Sequence, residues 1–155
     1  MRLYLVQHGR AAEKTVDPDR SLTPEGAREV DRVGAFLSPR HLDIPEVWHS
    51  GKARAQQTAE RLAKHIAPKA KIETRLWLAP KDEVADLAKA LRRRGTDLMI
   101  VGHLPFLSRL ASLLLTDDEN RDLVAFSNAG AVCLERDDES RWRIKWILPP
   151  GILPE

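Results

Sequence analysis

Short apolar segments alternate four times with segments of helical periodicity along this chain. The clearest of them, residues 3–6 and 98–101, are continuous apolar runs and predict buried strands. A strand, a helix and a second strand in succession form a right-handed crossover, which leaves the two strands parallel and places a helix against the sheet. The alternation therefore predicts an α/β fold, a three-layer α/β/α sandwich with a mostly parallel central sheet.

Turn and capping residues bound the predicted elements. Thr23 suits an N-cap, and Pro24 suits the first position of a helix whose apolar residues recur as far as Leu37. Two alternating segments near the C-terminus predict an antiparallel hairpin at or near one edge of the sheet. The predicted helices are 24–37, 52–66, 83–94 and one that starts at 104–106, and the predicted strands after the first are 44–49, 72–74, 97–102, 129–136 and 142–148.

Composition limits the class of protein. The 155 residues carry 25 Lys and Arg against 23 Asp and Glu, a net charge of +2, whereas a dedicated nucleic-acid binder is usually far more basic. The single cysteine, Cys133, cannot form an internal disulfide, so a reducing compartment fits. No apolar run approaches the roughly 18 residues that span a bilayer, and residues 7–10 interrupt the first one too early for a signal peptide. We expect one cytoplasmic domain over residues 1–155 that binds neither nucleic acid nor membrane.

Reactive and basic side chains follow three of the predicted strands. His8 ends the first strand, Ser50 ends the second and is followed by Arg54 one helical turn later, and His103 ends the fourth. In an open α/β sheet, ligands bind beyond the carboxyl ends of the strands. These four side chains are therefore expected to converge on one rim.

Two histidines and an arginine at one rim suit phosphoryl transfer through a phosphorylated histidine. A neutral imidazole is a competent nucleophile near pH 7. Arg54 offers a guanidinium fork that matches two phosphate oxygens, and a protonated His103 would offer a second donor. The N–H groups at the N-termini of the two neighbouring helices add further donors for an anion.

Four motifs in order resemble the histidine phosphatase superfamily, whose fold is phosphoglycerate mutase-like. They are Leu5-Val6-Gln7-His8-Gly9-Arg10-Ala11, Leu22-Thr23-Pro24-Glu25-Gly26, His49-Ser50-Gly51-Lys52-Ala53-Arg54-Ala55-Gln56-Gln57-Thr58-Ala59 and Val101-Gly102-His103-Leu104-Pro105-Phe106. The short chain looks most like the SixA-type phosphohistidine phosphatases of that superfamily, proteins of signal transduction. The resemblance implies that His8 is the nucleophile that becomes phosphorylated, and that Arg54 and His103 hold the phosphoryl group.

One departure from the family's pattern concerns the phosphate pocket. The pattern is Arg-His-Gly, and this chain has Gln7-His8-Gly9; a glutamine keeps an amide donor but loses a charge, which costs on the order of 1.5–3 kcal/mol for one phosphate contact. Arg10, two residues past His8, is a candidate to compensate, although it also suits an exposed loop. Gln7, Arg10 and Ser50 thus join the predicted phosphate-binding residues.

The general acid is open at this point. Asp82 and Glu83 lie where larger members of the superfamily place a carboxylate over the leaving group, but carboxylates there also cap helices. A phosphohistidine substrate weakens the need for an acid, because an imidazole leaving group can be protonated before cleavage.

Other site types lack their motifs. No GxSxG, GxxxxGK[ST] or GxGxxG pattern is present, and a metal site of His8, His49 and His103 lacks a supporting carboxylate pattern, so no cofactor and no metal are expected. The expected partner is a phosphorylated protein histidine, on a phosphotransfer protein, or a small phosphorylated substrate. Two alternatives to a phosphohistidine phosphatase stay open, namely a phosphatase of a small phosphomonoester and, because of Gln7, a non-catalytic phosphate- or phosphohistidine-binding module.

Overall fold

The computed structural model describes residues 1–155. The strands are β1 (Arg2–Gln7), β2 (Glu46–His49), β3 (Lys71–Thr74), β4 (Leu98–Gly102), β5 (Ala131–Arg136) and β6 (Trp142–Leu148), and the helices are α1 (Pro24–Leu37), α2 (Ala53–Ile66), α3 (Ala85–Leu91) and α4 (Phe106–Thr116). The six strands form one sheet in the order β3-β2-β4-β1-β5-β6. β1 to β4 are parallel, and β5 and β6 are antiparallel. The predicted α/β fold, with its parallel centre and C-terminal hairpin, is confirmed.

Helices cover both faces of the sheet. Tyr4 and Val6 of β1 belong to one buried cluster with apolar residues of α1 and α2, whereas Leu3 and Leu5 belong to a second cluster with residues of α3 and α4. β4 divides its side chains in the same way. Because both faces are covered, the two central strands are apolar throughout, which is why they were the clearest strands in the sequence. None of the helices is long and apolar enough to cross a membrane.

Helix α3 is shorter than the predicted helix over 83–94. Before it, the Asp82 carboxylate accepts a hydrogen bond from the Ala79 N–H (2.9 Å) and holds the chain in a turn. After it, the Arg93 N–H donates to the carbonyl oxygen of Ala90 (3.1 Å), a tighter three-residue closure that ends the α-helix.

Two predicted strands begin two residues late, each for a backbone reason. β2 starts after Pro45, which has no N–H to donate to a neighbouring strand. β5 starts after Ala129, whose φ is +61° and whose N–H donates to the carbonyl oxygens of Gln7 (3.0 Å) and His8 (3.3 Å). The chain before β5 therefore braces the end of β1.

The start of α1 is tied to the loop that follows β1. Thr23 Oγ1 accepts a hydrogen bond from the Gly26 N–H (2.9 Å), as predicted for an N-cap. The Thr23 N–H donates to the Arg10 carbonyl oxygen (2.9 Å), and a Cβ atom on Gly26 would lie only 2.2 Å from that same oxygen. These contacts fix α1 against the turn beyond His8.

We expect Thr23→Ala to lower the free energy of unfolding by about 1 kcal/mol, because the Gly26 N–H loses its acceptor. Equilibrium unfolding in urea measures the change. Thr23→Ser keeps the hydroxyl, and Thr15→Ala alters an exposed threonine. Equal destabilisation by Thr23→Ala and Thr15→Ala would contradict the capping role.

Candidate active site

His8 and His103 lie side by side at the carboxyl end of the sheet. β1 and β4 are parallel neighbours in which Gln7 pairs with Gly102, so the residues that follow them meet. The two imidazole ring centroids are 5.0 Å apart. β2 lies on the other side of β4, and it brings the Ser50 hydroxyl oxygen to 2.6 Å from His103 Nε2. The structure brings these strand ends together, as predicted.

Several elements hold the His8 backbone. The His8 N–H donates to the Gly102 carbonyl oxygen (3.0 Å), and Asn128 Nδ2, from the chain before β5, donates to the His8 carbonyl oxygen (3.0 Å). The next N–H, of Gly9, donates to Thr58 Oγ1 on α2 (3.0 Å). The backbone at His8 and Gly9 is therefore held by β4, by α2 and by the chain before β5.

The hydrogen bond of the His8 ring sets its tautomer. Nδ1 lies 2.7 Å from the Gly9 carbonyl oxygen, which can only accept, so the neutral ring carries its proton on Nδ1. Nε2 then keeps a free lone pair. Burial lowers the pKa of His8, and the charges of Arg54 and Arg20 lower it further. His8 is therefore neutral and nucleophilic at Nε2 near pH 7.

His103 is only 2% exposed. Burial, and then the nearby His8 and Arg54, lower the pKa of its imidazole to about 3. Near pH 7 the ring is neutral, so it becomes a charged donor only when a bound anion raises its pKa. Its Nδ1 is buried and has no hydrogen-bond partner within the protein.

Arg54 lies in the first turn of α2, half-buried at the same rim. Burial lowers the pKa of its guanidinium, with a further contribution from Arg20, but an arginine keeps its charge near pH 7. It forms no ion pair, and its Nε is buried without a partner. The Lys52 side chain does not cap α2, and the N–H groups of Ala55 and Gln56 donate to the Lys52 carbonyl oxygen, so those of Ala53 and Arg54 stay available to an anion.

The other predicted phosphate-binding residues sit differently. Gln7 is half-buried beside His8, and its Oε1 has no hydrogen-bond partner. Ser50 is buried and is bonded to His103, which suits a positioning role as well as a phosphate contact. The Arg10 side chain is 60% exposed, with its Nε 3.8 Å from Glu29 Oε1, so its compensating role stays a prediction.

The two candidate general acids are engaged away from the histidines. Asp82 caps the turn at Ala79, and the Glu83 side chain is 85% exposed and lies 3.4 Å from Arg109 Nη2. Neither carboxylate contacts His8, Arg54 or His103. The third histidine considered for a metal site, His49, is buried, and its Nδ1 accepts a hydrogen bond from the Gly51 N–H (3.1 Å).

Sequence reasoning missed Arg20 and Thr58. Arg20 lies in the polar segment taken for an exposed loop, yet its charge acts on both histidines of the site. Thr58 lies on α2 and was not among the predicted site residues. Its buried hydroxyl accepts from the Gly9 N–H and donates to the Arg54 carbonyl oxygen (2.8 Å), which joins the turn after His8 to the helix that carries Arg54.

Comparison with known proteins identifies the family. Residues 3–77 match the model of the histidine phosphatase superfamily (branch 1), a stretch that includes His8, Ser50 and Arg54. The chain belongs to the histidine phosphatase superfamily. Membership implies a phosphatase.

Similarity to individual proteins extends past residue 77. An uncharacterized protein of Mycobacterium leprae is 32% identical over 106 residues, which span 68% of this chain and 65% of the relative's length. Phosphohistidine phosphatase SixA of Escherichia coli is 23% identical over 155 residues, 97% of this chain and 94% of SixA. A solved structure of the protein histidine phosphatase SixA complexed with tungstate has a TM-score of 0.85 at 22% identity, over 97% of this chain and 98% of that one. The predicted resemblance to SixA-type proteins is confirmed.

We expect Thr58→Val to lower the free energy of unfolding by about 1–3 kcal/mol, because it leaves the buried Gly9 N–H without an acceptor at nearly unchanged volume. Thr58→Ser keeps the oxygen and is the matched control. Urea unfolding of both variants measures the difference. Equal stability of the two variants would show that the hydroxyl is not the link between Gly9 and α2.

The low pKa of His103 predicts an acid-side loss of stability. The unfolded chain binds a proton at an imidazole near pH 6.5, whereas the folded protein accepts it only near pH 3, so His103 lowers the free energy of unfolding as pH falls below about 6.5. The slope is about 1.4 kcal/mol per pH unit for one proton. In urea unfolding between pH 7 and pH 5, His103→Gln should lose less stability than the wild type. The exposed-site change His41→Gln is the control, and parallel curves for His103→Gln and the wild type would refute the expectation.

Proposed function

We propose that this protein is a phosphatase that works through a phosphohistidine at His8 and acts on a phosphohistidine of another protein. One observation carries the proposal. A neutral His8, with a free Nε2, faces His103 at a rim where Arg54 and Arg20 lower the pKa of both histidines and Lys52 lowers that of His103. Such a rim suits a phosphoryl group, whose charge is spread over three oxygens in the transition state.

The reaction has two steps. In the first, His8 Nε2 attacks phosphorus while the P–N bond of the substrate breaks. A substrate imidazole whose other nitrogen already carries a proton leaves as neutral imidazole. In the second, water attacks phosphorus and the bond to His8 Nε2 breaks, which yields inorganic phosphate and neutral His8. The hydrogen bond from His8 Nδ1 to the Gly9 carbonyl oxygen persists in both steps, so His8 also leaves as a neutral ring.

Neither predicted general acid contacts His8 or His103, and this favours a phosphohistidine over a phosphomonoester as substrate. An alkoxide leaving group needs a proton in the transition state, whereas a protonated phosphohistidine does not. Asp82 and Glu83, the predicted acids, are held by other contacts. A small phosphomonoester remains the second candidate substrate and a direct arm of the test.

The rim also suits a macromolecular substrate. Arg10, Lys52 and Leu104, which surround the site, are all exposed. SixA, to which the chain is similar over nearly its whole length, is a phosphohistidine phosphatase by name, and its solved complex holds tungstate, an oxyanion shaped like phosphate. We assign the reaction to the cytoplasm, with a phosphotransfer protein of signal transduction as the partner.

We expect His8 to become labelled when the protein is mixed with a radiolabelled phosphohistidine protein, as a label lost in acid and kept in alkali. His8→Ala should abolish the label and lower kcat/KM on the order of 10³-fold or more. Rates on p-nitrophenyl phosphate and on a panel of alkyl phosphomonoesters should be far below those on the phosphohistidine protein.

Three outcomes separate the rivals. A higher kcat/KM for an alkyl phosphomonoester would replace the substrate class but keep the mechanism. Phosphate binding without His8 labelling or turnover would indicate a binding module. Turnover that survives His8→Ala would refute His8 as the nucleophile.

A further inference from the structure

Arg20 shares a pocket with Arg54. The pocket opens beside the start of α2, and Arg20, Arg54 and Lys52 are among the residues that line it. Arg20 forms no ion pair and has no carboxylate partner, although Asp19 lines the same pocket. An unpaired guanidinium next to a second one is unfavourable by itself and becomes favourable when a dianion lies between them.

Hydrogen bonds hold the loop before α1 in a turn that positions Arg20. The Asp17 carboxylate accepts hydrogen bonds from the N–H groups of Asp19 and Ser21 (both 3.0 Å), and the Asp17 carbonyl oxygen accepts from the Arg20 N–H (2.9 Å). Arg20 itself takes a positive φ of 52° inside this turn. Asp17 therefore serves the backbone of the turn and leaves the Arg20 charge uncompensated.

Two further contacts anchor the side chain and the loop. Arg20 Nε donates to the Ala12 carbonyl oxygen (3.2 Å), which holds the stem of the guanidinium and leaves both terminal nitrogens free to donate. The Leu22 N–H donates to Gln57 Oε1 (2.8 Å), which ties the loop to the same helix that carries Arg54. Arg20 and Arg54 are thus held at a fixed distance through α2.

The electrostatics agree with this placement. Arg20 is a cause of the lowered pKa of His8, of Arg54 and of His103, the three residues that would touch the phosphoryl group. Arg10, which lies closer to His8 in sequence, is not among the causes for any of them, and its guanidinium points to Glu29.

We propose that Arg20 supplies the phosphate-pocket cation that this chain lacks at position 7. The transferred phosphoryl group is held between the Arg54 and Arg20 guanidinium groups, and Gln7 contributes only its neutral amide. The assignment rests on the proposed phosphatase function. It makes Arg20 a catalytic residue, since its terminal nitrogens contact the phosphoryl oxygens.

Moving the positive charge from position 20 to position 7 tests the assignment. Arg20→Ala should lower kcat/KM about 10- to 100-fold, the usual effect of one charged contact. Arg20→Gln, which keeps a donor for the Ala12 carbonyl oxygen, should lose nearly as much, so that a loss of loop structure is separated from the loss of charge. Adding Gln7→Arg to Arg20→Ala should recover about tenfold or more, whereas Gln7→Arg alone should change the wild-type rate much less.

Affinity for tungstate, followed by calorimetry, supplies a readout independent of turnover. Arg20→Ala should weaken it in parallel with kcat/KM, and Gln7→Arg should restore it. Arg93→Ala, at an exposed site beyond α3, is the control for loss of one positive charge. Arg10→Ala tests the competing residue and should change both readouts less than Arg20→Ala.

The failure of this assignment differs from the failure of the proposed function. A near wild-type rate and tungstate affinity for Arg20→Ala, with His8 still labelled, would overturn only the role of Arg20. The role of Arg20 would also be overturned if Arg20→Gln kept the activity that Arg20→Ala loses, while adding Gln7→Arg to Arg20→Ala restored none of it. If His8→Ala instead left the turnover of the wild type and of every variant unchanged, the phosphatase mechanism itself would be overturned.

Discussion

The parallel pairing of β1 with β4 is the constraint on which the site depends. Gln7 lies opposite Gly102, and the His8 N–H continues the ladder by one more hydrogen bond to the Gly102 carbonyl oxygen (3.0 Å). A one-residue slip of this register would exchange the side chains that pack against α1 and α2 with those that pack against α3 and α4, so both buried clusters would lose their fit to the helices. The packing of the core therefore sets the distance between the two imidazole rings.

The same rim concentrates positive charge, because Arg54 and Arg20 line one pocket and neither forms an ion pair. Burial lowers the pKa of both histidines, and Arg54 and Arg20 lower it further, so the rings remain neutral beside two cationic side chains. A neutral nucleophile in a positive pocket is the combination that phosphoryl transfer from an anionic donor requires. The Gly9 carbonyl oxygen completes it, because it fixes the proton on Nδ1 and leaves the Nε2 lone pair of His8 free.

Sequence patterns predicted the parts of the site that strand ends determine. His8, Ser50 and His103 each follow a strand, and Arg54 follows by one helical turn, so topology alone brought them together. Thr58 and Arg20 were not predicted, because their roles depend on contacts between a loop or helix and residues far along the chain. Element bounds failed for local reasons of the same kind: Asp82 delays α3 through a side-chain hydrogen bond, and Ala129, at a φ of +61°, donates to the carbonyl oxygens of Gln7 and His8 outside the regular ladder of β5.

The site also shows why a charge can move along the sequence without leaving the pocket. A guanidinium at position 7 would approach a phosphoryl group from the end of β1, whereas Arg20 approaches from the loop before α1, on the side of α2. Coulomb attraction falls with distance and does not depend on the direction of approach, so either residue can stabilise the same dianion. Direction matters for the hydrogen bonds, and there the Arg20 stem is held by the Ala12 carbonyl oxygen and the loop by Gln57. A loop anchored to the helix of Arg54 can therefore take over the charge of a strand-end arginine, while Gln7 keeps a neutral amide at the position next to the nucleophile.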